Sequence, residues 1–169
     1  LNLDFKDKQG DKQVFEHMKQ MGVKIETKDG ITKVKGPKKL KAIDIDLNST
    51  PDALPALTVA AACAEGTSYF RNVAQARIKE TDRIACMAAE LAKLGITVEE
   101  FSDGIAVTGG KMKGARVESY KDHRIAMSLA IAGMAAEGRT LIDNAEAAPV
   151  TYPDFVEDFM AIGANFKQF

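Results

Sequence analysis

The chain has 169 residues, of which 46% are hydrophobic and 28% are charged. This is the composition of a globular protein, and the length is sufficient to bury a core. Acids and bases are interspersed and leave a formal net charge of −1, so the sequence lacks the basic surface typical of proteins that bind nucleic acid or an anionic membrane.

Few residues are available for disulfides or metal sites. Cys63 and Cys86 lie in alanine-rich segments, where a free thiol behaves as a small hydrophobic side chain. Two histidines, His17 and His123, are too few for a zinc site without carboxylates that the pattern does not supply. We expect no disulfide, no metal and a reducing compartment. No apolar run has the length that a membrane span needs, and Leu1 resembles the end of a strand, which suggests a fragment.

One pattern occurs twice along the chain. A helix-ending glycine, a strand, an Asp-Gly turn and a second strand are followed by another strand, an apolar helix, a glycine and a strand. The two copies cover residues 21–36 with 43–73, and residues 94–110 with 115–145, offset by 72 to 74 positions. This spacing predicts an internal duplication, and a third copy begins at Thr151 and stops after one strand.

Five helices are predicted, at residues 11–21, 53–65, 82–94, 123–137 and 154–162. A glycine that favours the left-handed, helix-ending backbone is expected after each one, at Gly22, Gly66, Gly95, Gly138 and Gly163. The second and fourth helices are apolar almost all round, which predicts burial between sheets. The third has one apolar stripe, with Glu90 and Lys93 expected to face water. The pattern predicts an α/β fold of repeated units with helices inside and sheets outside.

Four of these helices begin with an acid: Asp52, Asp82, Asp122 and Asp154. Carboxylates at such positions normally accept hydrogen bonds from free backbone N–H groups and complement the helix dipole. For Asp52, capping is the simplest explanation, because Pro55 then falls in the first turn, where its missing N–H costs nothing.

Cations surround two of the same helix starts: Lys79 and Arg83 in IKETDRI, and Lys121, His123 and Arg124 in YKDHRIAM. Cations there oppose the dipole, so capping does not explain them. They favour a site for phosphate or carboxylate groups, to which corresponding helix ends of the repeats should point. A solvated charged turn is the alternative for either cluster. Glu80, between Lys79 and Arg83, is either a salt-bridge partner or a proton-transferring carboxylate.

Four segments resemble, in order, landmarks of the 5-enolpyruvylshikimate-3-phosphate (EPSP) synthase family: IDIDLNSTPDALPALTVAAACAEGTSYFRN, ARIKETDRIACMAAELAKLG, SYKDHRIAMSLAIAG and TYPDFVEDF. The resemblance covers essentially residues 1–169. The motifs Lys-Glu-Thr-Asp-Arg and Asp-His-Arg-x-Ala-Met are specific to this family. They argue against the UDP-N-acetylglucosamine enolpyruvyl transferases, which share the fold.

The resemblance implies an inside-out α/β barrel domain of the enolpyruvyl transferase type. It also implies transfer of the enolpyruvyl group from phosphoenolpyruvate to the 5-hydroxyl of shikimate 3-phosphate, with release of phosphate and without a metal or cofactor. In that reaction Asp52 would accept the hydroxyl proton and Glu80 would protonate the methylene carbon of phosphoenolpyruvate. The substrate-binding residues implied by the resemblance are Lys79, Arg83, Arg124, Asp52 and His123.

The family chain is more than twice as long and has its active site between two domains. Residues 1–169 are therefore expected to be a C-terminal domain fragment of about two and a half repeats that lacks the N-terminal domain and is inactive alone. The expected partners are phosphoenolpyruvate, shikimate 3-phosphate and that missing domain, in a full-length cytoplasmic enzyme expected to be a monomer. Residues 147–151 lack the lysine that many members carry there. A noncatalytic anion-binding domain of the same fold remains an alternative.

Overall fold

The computed structural model describes residues 10–167, so the strand end expected at Leu1 lies outside the described residues. The helices are α1 (Gln13–Gln20), α2 (Leu54–Ala62), α3 (Arg83–Lys93), α4 (His123–Ala135) and α5 (Phe155–Ala161). The strands are β1 (Lys24–Lys28), β2 (Ile31–Lys35), β3 (Leu40–Lys41), β4 (Asp44–Asp46), β5 (Ala64–Glu65), β6 (Thr67–Arg71), β7 (Thr97–Phe101), β8 (Gly104–Thr108), β9 (Arg116–Glu118) and β10 (Leu141–Asp143). The five predicted helices are therefore present, each slightly shorter than predicted.

The strand pairing repeats in the order that the duplication predicts. β1 and β2 form an antiparallel hairpin, and so do β7 and β8. β4 pairs with β6 in parallel, and β9 pairs with β10 in parallel. The largest sheet has the order β4-β6-β8-β7, because the second hairpin adds to the strand pair of the first repeat.

A salt bridge at equivalent positions marks the duplication at the level of side chains. Arg71 on β6 donates through Nε to Asp44 on β4 at 2.8 Å, and Arg116 on β9 donates through Nε to Asp143 on β10 at 2.7 Å. Asp44 corresponds to Arg116 and Arg71 to Asp143, each 72 residues apart, so the two charges have exchanged strands. The pairing was kept while the residues that make it were reversed.

The core lies among the helices and against the inner face of the main sheet. α2 contacts α3, α4 and β8, and most of its side chains are buried. The apolar stripe of α3 is buried as predicted, with Ile84, Met87, Leu91 and Leu94 fully inaccessible. Helices inside and sheets outside are thus confirmed for this fold.

The fourth helix differs from its prediction. One face of α4, with Ile125, Leu129 and Ala132, is buried, but Met134 on another face is 47% exposed. Ile131 is half-buried and lies beside a groove between α2 and α4. Within residues 10–167, this part of α4 is exposed where the all-round apolar pattern predicts a packed neighbour.

Three of the five predicted glycine caps are confirmed. Gly22, Gly95 and Gly163 directly follow the C-cap residues of α1, α3 and α5, and their φ values of 97°, 86° and 108° are left-handed. Gly66 and Gly138 are left-handed too, but the prediction that they end helices was wrong. Each follows a short stretch of parallel pairing, β5 for Gly66 and the Lys113–Glu137 bridge for Gly138. The helices stop earlier because the residues just before each glycine pair with an earlier segment of the chain: β5 pairs with β3, and Glu137 pairs with Lys113.

The strand predicted after α5 is not formed in residues 164–167. A strand needs a partner for its backbone groups, and none of the described strands is paired with this segment. Phe166 instead packs on Phe155, with ring centroids 6.1 Å apart.

Both thiols are free. In the described part of the chain, every helix is too short or too polar to cross a bilayer.

Candidate active site

The starts of α2, α3 and α4 meet at the guanidinium of Arg83, the first residue of α3, whose side chain is only 1% exposed. It donates to Asp52 Oδ1 at 2.8 Å, to Glu80 Oε2 at 2.6 Å and to Asp122 Oδ2 at 2.8 Å. One buried cation therefore joins carboxylates from three separate helix starts. This is the convergence that the repeated helix ends predict.

Asp52 does not cap a helix. It lies in a 3₁₀ turn, Pro51–Ala53, ahead of α2, and neither the turn nor the helix has a side-chain capping hydrogen bond. Its carboxylate faces cations instead, since Oδ1 is 3.3 Å from Lys79 Nζ and Oδ2 is 3.5 Å from Arg124 Nη2. Partial burial acts to raise the pKa of Asp52, but Arg124, Lys79 and Arg83 outweigh it and lower that pKa below its usual value. The capping explanation was wrong.

Asp122 and Asp82 do cap their helices. Asp122 is fully buried, and its Oδ1 accepts from the backbone N–H groups of Arg124 at 2.8 Å and Ile125 at 3.3 Å. Burial acts to raise the pKa of Asp122, and hydrogen bonds from Arg83 and these amides lower it. Asp82 accepts from the N–H of Ala85 at 3.0 Å.

Asp154 occupies the position before α5, but its side chain accepts no hydrogen bond from a backbone N–H of that helix, so the prediction that it caps α5 was wrong.

Glu80 is the most exposed acid of the cluster, with 52% of its side chain accessible. Its bond to Arg83 confirms the salt-bridge explanation. Proton transfer by Glu80 stays a prediction. Arg83, predicted to clamp an anion, directs its donors at three carboxylates.

Of the three cations that contact Asp52, two have accessible side chains: Lys79, 33% exposed, and Arg124, 35% exposed. Lys121 is exposed. Arg124 also donates to the backbone carbonyl of Asp52 at 3.3 Å. His123 is the first residue of α4 and is half-buried. The structure thus brings Asp52, Lys79 and Arg124 into one cluster with Arg83.

A groove of about 190 Å³ opens beside this cluster, between α2 and α4. Asp52 and Arg124 form its polar end. The rest of its lining is mostly apolar: Pro55, Ala56, Val59, Met127, Ser128 and Ile131. The polar end is thus next to a surface that accommodates nonpolar atoms.

Sequence reasoning missed Arg77, which fixes the loop that carries Lys79. Arg77 donates to Asp82 Oδ2 at 2.7 Å, to Glu100 Oε1 at 2.8 Å and to the carbonyl of Ser102 at 2.8 Å. These partners lie on a helix start and on the second hairpin. Arg77 was absent from the prediction because its partners are brought together only by the fold.

Glu90, predicted to face water, is fully buried. Its carboxylate accepts from the hydroxyl of Tyr120 at 2.6 Å and from the backbone N–H of Glu118 at 3.0 Å. The helical pattern placed Glu90 on the polar side of α3 correctly, but a segment from the next strand and turn covers that side. Lys93, predicted to face water as well, is 47% exposed and donates to Glu90 at 2.8 Å.

No group of three or more His, Cys, Asp and Glu residues is arranged to hold a metal ion within residues 10–167. The cluster at Arg83 instead combines cations and carboxylates at helix starts, an arrangement suited to anionic ligands and proton transfer.

Repeated α/β units with internal helices and this cluster define the enolpyruvyl transferase class. The fold is similar to that of an EPSP synthase from Acinetobacter baumannii, with a TM-score of 0.79 and 33% identity over 94% of this chain and 40% of that chain. It is also similar to the enolpyruvyl transferase NikO from Streptomyces tendae, with a TM-score of 0.77 and 26% identity over 92% of this chain and 36% of that one.

Within this class, the chain belongs to the EPSP synthase (3-phosphoshikimate 1-carboxyvinyltransferase) family, which it matches over residues 1–159. It is 49% identical to the 3-phosphoshikimate 1-carboxyvinyltransferase of Methanosarcina acetivorans, over 97% of this chain and 38% of that protein. It is 50% identical to that of Ruminiclostridium cellulolyticum, over 98% of this chain and 39% of that protein. The chain therefore spans less than half the length of these relatives.

Proposed function

We propose that this chain supplies one side of the active site of a 3-phosphoshikimate 1-carboxyvinyltransferase. The reaction transfers the enolpyruvyl group of phosphoenolpyruvate to the 5-hydroxyl of shikimate 3-phosphate and releases phosphate. The observation that carries the proposal is the meeting of three helix starts at Arg83, with Asp52 and Glu80 bound to its guanidinium. Membership of the EPSP synthase family adds the substrate pair.

Asp52 is proposed to accept the proton of the attacking hydroxyl. Its lowered pKa keeps the carboxylate ionised near neutral pH, so that it is ready to take a proton. The cations around it serve a second purpose, because they also attract the phosphate and carboxylate groups of the substrates.

Glu80 is proposed to protonate the methylene carbon of phosphoenolpyruvate. It is more accessible than Asp52 and is held on one side only, by Arg83. An anion that binds Arg83 would displace Glu80 first, because Asp122 is fully buried. Displacement would free the Glu80 carboxylate to take up a proton from solvent and to deliver it to the methylene carbon of the bound substrate.

Lys79, Arg124, Arg83 and His123 are proposed to bind the anionic groups. Lys79 and Arg124 have accessible side chains and contact Asp52, so they are placed to bridge it to a ligand. The planar guanidinium groups are suited to bidentate contact with phosphate or carboxylate.

The chain is proposed to be part of a C-terminal domain, comprising about two and a half repeats, that works with an N-terminal domain. The support is the share of the relatives that it spans, 38% to 39%. The complete enzyme is proposed to be a cytoplasmic monomer that needs both domains to close on its substrates.

A chimera tests this function. The matched part of the Methanosarcina acetivorans relative is replaced by this chain, and phosphate release from phosphoenolpyruvate and shikimate 3-phosphate is measured. We expect turnover that requires both substrates. Asp52→Asn and Glu80→Gln should each lower kcat by at least about 100-fold, the usual contribution of a positioned acid or base. A folded chimera without phosphate release would refute the function.

A noncatalytic anion-binding domain of the same fold is the second candidate. It is favoured by one observation, that Lys79 and Arg124 keep accessible side chains beside Asp52 and could hold an anion without any chemistry. Titration of the isolated chain with inorganic phosphate and phosphoenolpyruvate separates the two, because a binding module takes up either anion alone whereas half of an active site binds weakly.

The same chimera assayed with UDP-N-acetylglucosamine tests the third candidate, the sister transferase, for which the IKETDRI and YKDHRIAM motifs predict no turnover.

A further inference from the structure

Glu90 and Arg83 lie on the same face of α3, seven residues and about two turns apart. Both are buried, and both reach the segment that leads into α4. Arg83 holds Asp122 at the end of that segment, and Glu90 accepts from the N–H of Glu118 and the hydroxyl of Tyr120 at its beginning. α3 therefore binds residues 118–122 at two points, through Arg83 and through Glu90.

Between these two points the backbone is strained. Tyr120 and Lys121 have φ values of 56° and 60°, a left-handed conformation that side chains other than glycine rarely adopt. Such a conformation persists only where the surroundings over-determine it. The backbone N–H groups of Tyr120 and Lys121 donate within the turn, to Glu118 Oε1 at 2.8 Å and to Ser119 Oγ at 3.2 Å. The hydroxyl of Tyr120, 2.6 Å from Glu90, ties the side chain of the first of these residues to a buried carboxylate of α3.

The first repeat contains the same turn without the strain. Thr50 N–H donates to the carbonyl of Leu47 at 3.0 Å, as Asp122 N–H donates to that of Ser119 at 3.0 Å. Asn48 and Ser49, the counterparts of Tyr120 and Lys121, do not have positive φ values. The turn can therefore close without left-handed residues.

The position that corresponds to Glu90 in the first repeat is His17, on α1. His17 is buried, and neither of its ring nitrogens has a hydrogen-bond partner. The first repeat thus lacks both the hydrogen bond that joins the helix to the turn and the pair of left-handed residues, whereas the second repeat has both.

We propose that Glu90 and Tyr120 form a positioning pair for the active site. The pair holds the left-handed turn and thereby sets the direction in which the first turn of α4 presents Arg124 and His123. The proposal rests on the proposed function, since these cations are the groups proposed to bind phosphoenolpyruvate. Loss of the hydroxyl allows the turn to relax to the backbone seen in the first repeat, which shifts Arg124 relative to Asp52.

Tyr120→Phe is the primary test because it removes one oxygen and keeps the ring. In the active chimera we expect KM for phosphoenolpyruvate to rise about tenfold, the equivalent of one lost hydrogen bond to a charged group. KM for shikimate 3-phosphate should stay within about twofold of its starting value. A purely structural role would lower Tm and leave both KM values unchanged, and that result would overturn the proposal.

Tyr152→Phe is the matched control. The hydroxyl of Tyr152 also donates to a carboxylate at 2.6 Å, that of Asp158, and Tyr152 is 39% exposed against 38% for Tyr120. The same chemical change there should leave both KM values unaltered. Glu90→Gln weakens the acceptor and should reproduce the rise in KM seen in Tyr120→Phe. The double variant should show little further rise, because both changes remove the same hydrogen bond. Additive effects on KM would contradict this.

A backbone measurement decides the proposal without activity. Three-bond couplings between the amide and α protons of residues 120 and 121 report φ in solution, and we expect both to change in Tyr120→Phe and not in Tyr152→Phe. Left-handed values that persist in Tyr120→Phe would overturn the positioning pair. If the chimera is inactive while the couplings change, the proposed function is refuted, but the claim that the hydrogen bond between Tyr120 and Glu90 holds the left-handed turn is supported.

Discussion

Asp52 and Arg124 occupy equivalent positions in the two repeats, 72 residues apart, and they contact each other. Nη2 of Arg124 lies 3.5 Å from Asp52 Oδ2, and Nη1 donates to the backbone carbonyl of Asp52 at 3.3 Å. Duplication placed the same position of two packed helices side by side, and divergence gave it opposite charges. An acid and a cation thus share one locus.

Arg83→Met should destabilise the chain strongly. The substitution keeps much of the apolar volume but leaves Asp122 fully buried without its cation, and breaking a buried ion pair in this way costs about 3–5 kcal/mol. Urea unfolding of the wild type and the variant measures the difference in the free energy of unfolding.

Arg71→Met is the matched control for that experiment. Arg71 makes a similar two-point contact with Asp44, but both side chains are about half exposed. We expect a loss of less than about 1 kcal/mol, as for other surface pairs. Equal losses in the two variants would show that the burial of Asp122 does not matter.

Asp82→Ala should weaken the start of α3. The side chain caps the helix through Ala85 and also accepts from Arg77, so its removal should cost about 1–2 kcal/mol. Asp154→Ala is the control, because Asp154 precedes α5 without a capping hydrogen bond. This substitution should lower the free energy of unfolding by less than about 0.5 kcal/mol. Thermal unfolding followed by circular dichroism compares them, and a larger effect at Asp154 would contradict this assignment of caps.

Much of the fold could be predicted because its signals are local. The glycine after α3, the apolar stripe from Ile84 to Leu94 and the repeat spacing each depend on residues close in sequence or on a fixed offset. Asp82 and Asp122 were predicted as caps for the same reason. Gly66 was assigned to a helix end wrongly, because β5 forms only when β3, from an earlier part of the repeat, lies beside it.

The candidate site was predictable in its composition but not in its connections. Opposing cations at two helix starts indicated a cluster, and the structure brings Lys79, Arg83 and Arg124 together around Asp52. The burial of Glu90 escaped prediction because Tyr120, which covers it, lies 30 residues later. Contacts with segments distant in sequence are not encoded in the periodicity of a single helix.

His17 should make stability depend on pH near neutrality. Burial lowers the pKa of His17 from 6.5, more than Glu16 raises it, so the folded state favours the neutral ring. The unfolded chain then binds more protons between the lowered pKa and 6.5. The free energy of unfolding should be highest above pH 6.5, fall as pH decreases through this window, and stop changing on this account below the folded pKa.

Two variants check this assignment in urea titrations between pH 5 and 8, the range in which histidine titrates. His17→Leu should remove the slope. Glu16→Gln should steepen it, because Glu16 is the group that opposes the lowering of the His17 pKa. A slope that survives in His17→Leu would assign the effect to other groups.

Arg124→Gln should shift the acid side of the pH–rate profile. Arg124 is the first among the cations that lower the pKa of Asp52 against the effect of burial, so its loss raises that pKa. The profile of kcat/KM reports the ionisation of the free enzyme. If Asp52 must be ionised to accept a proton, activity in the chimera should begin to fall at a higher pH than in the parent.

Arg116→Gln provides the comparison, because Arg116 is 71% exposed and pairs with Asp143 on the second strand pair rather than with the cluster. Its profile should coincide with that of the parent. An Arg124→Gln profile that is lower at every pH but unshifted would mean that Arg124 binds substrate without controlling Asp52. A shift in both variants would point to long-range charge rather than to the 3.5 Å contact between Arg124 and Asp52.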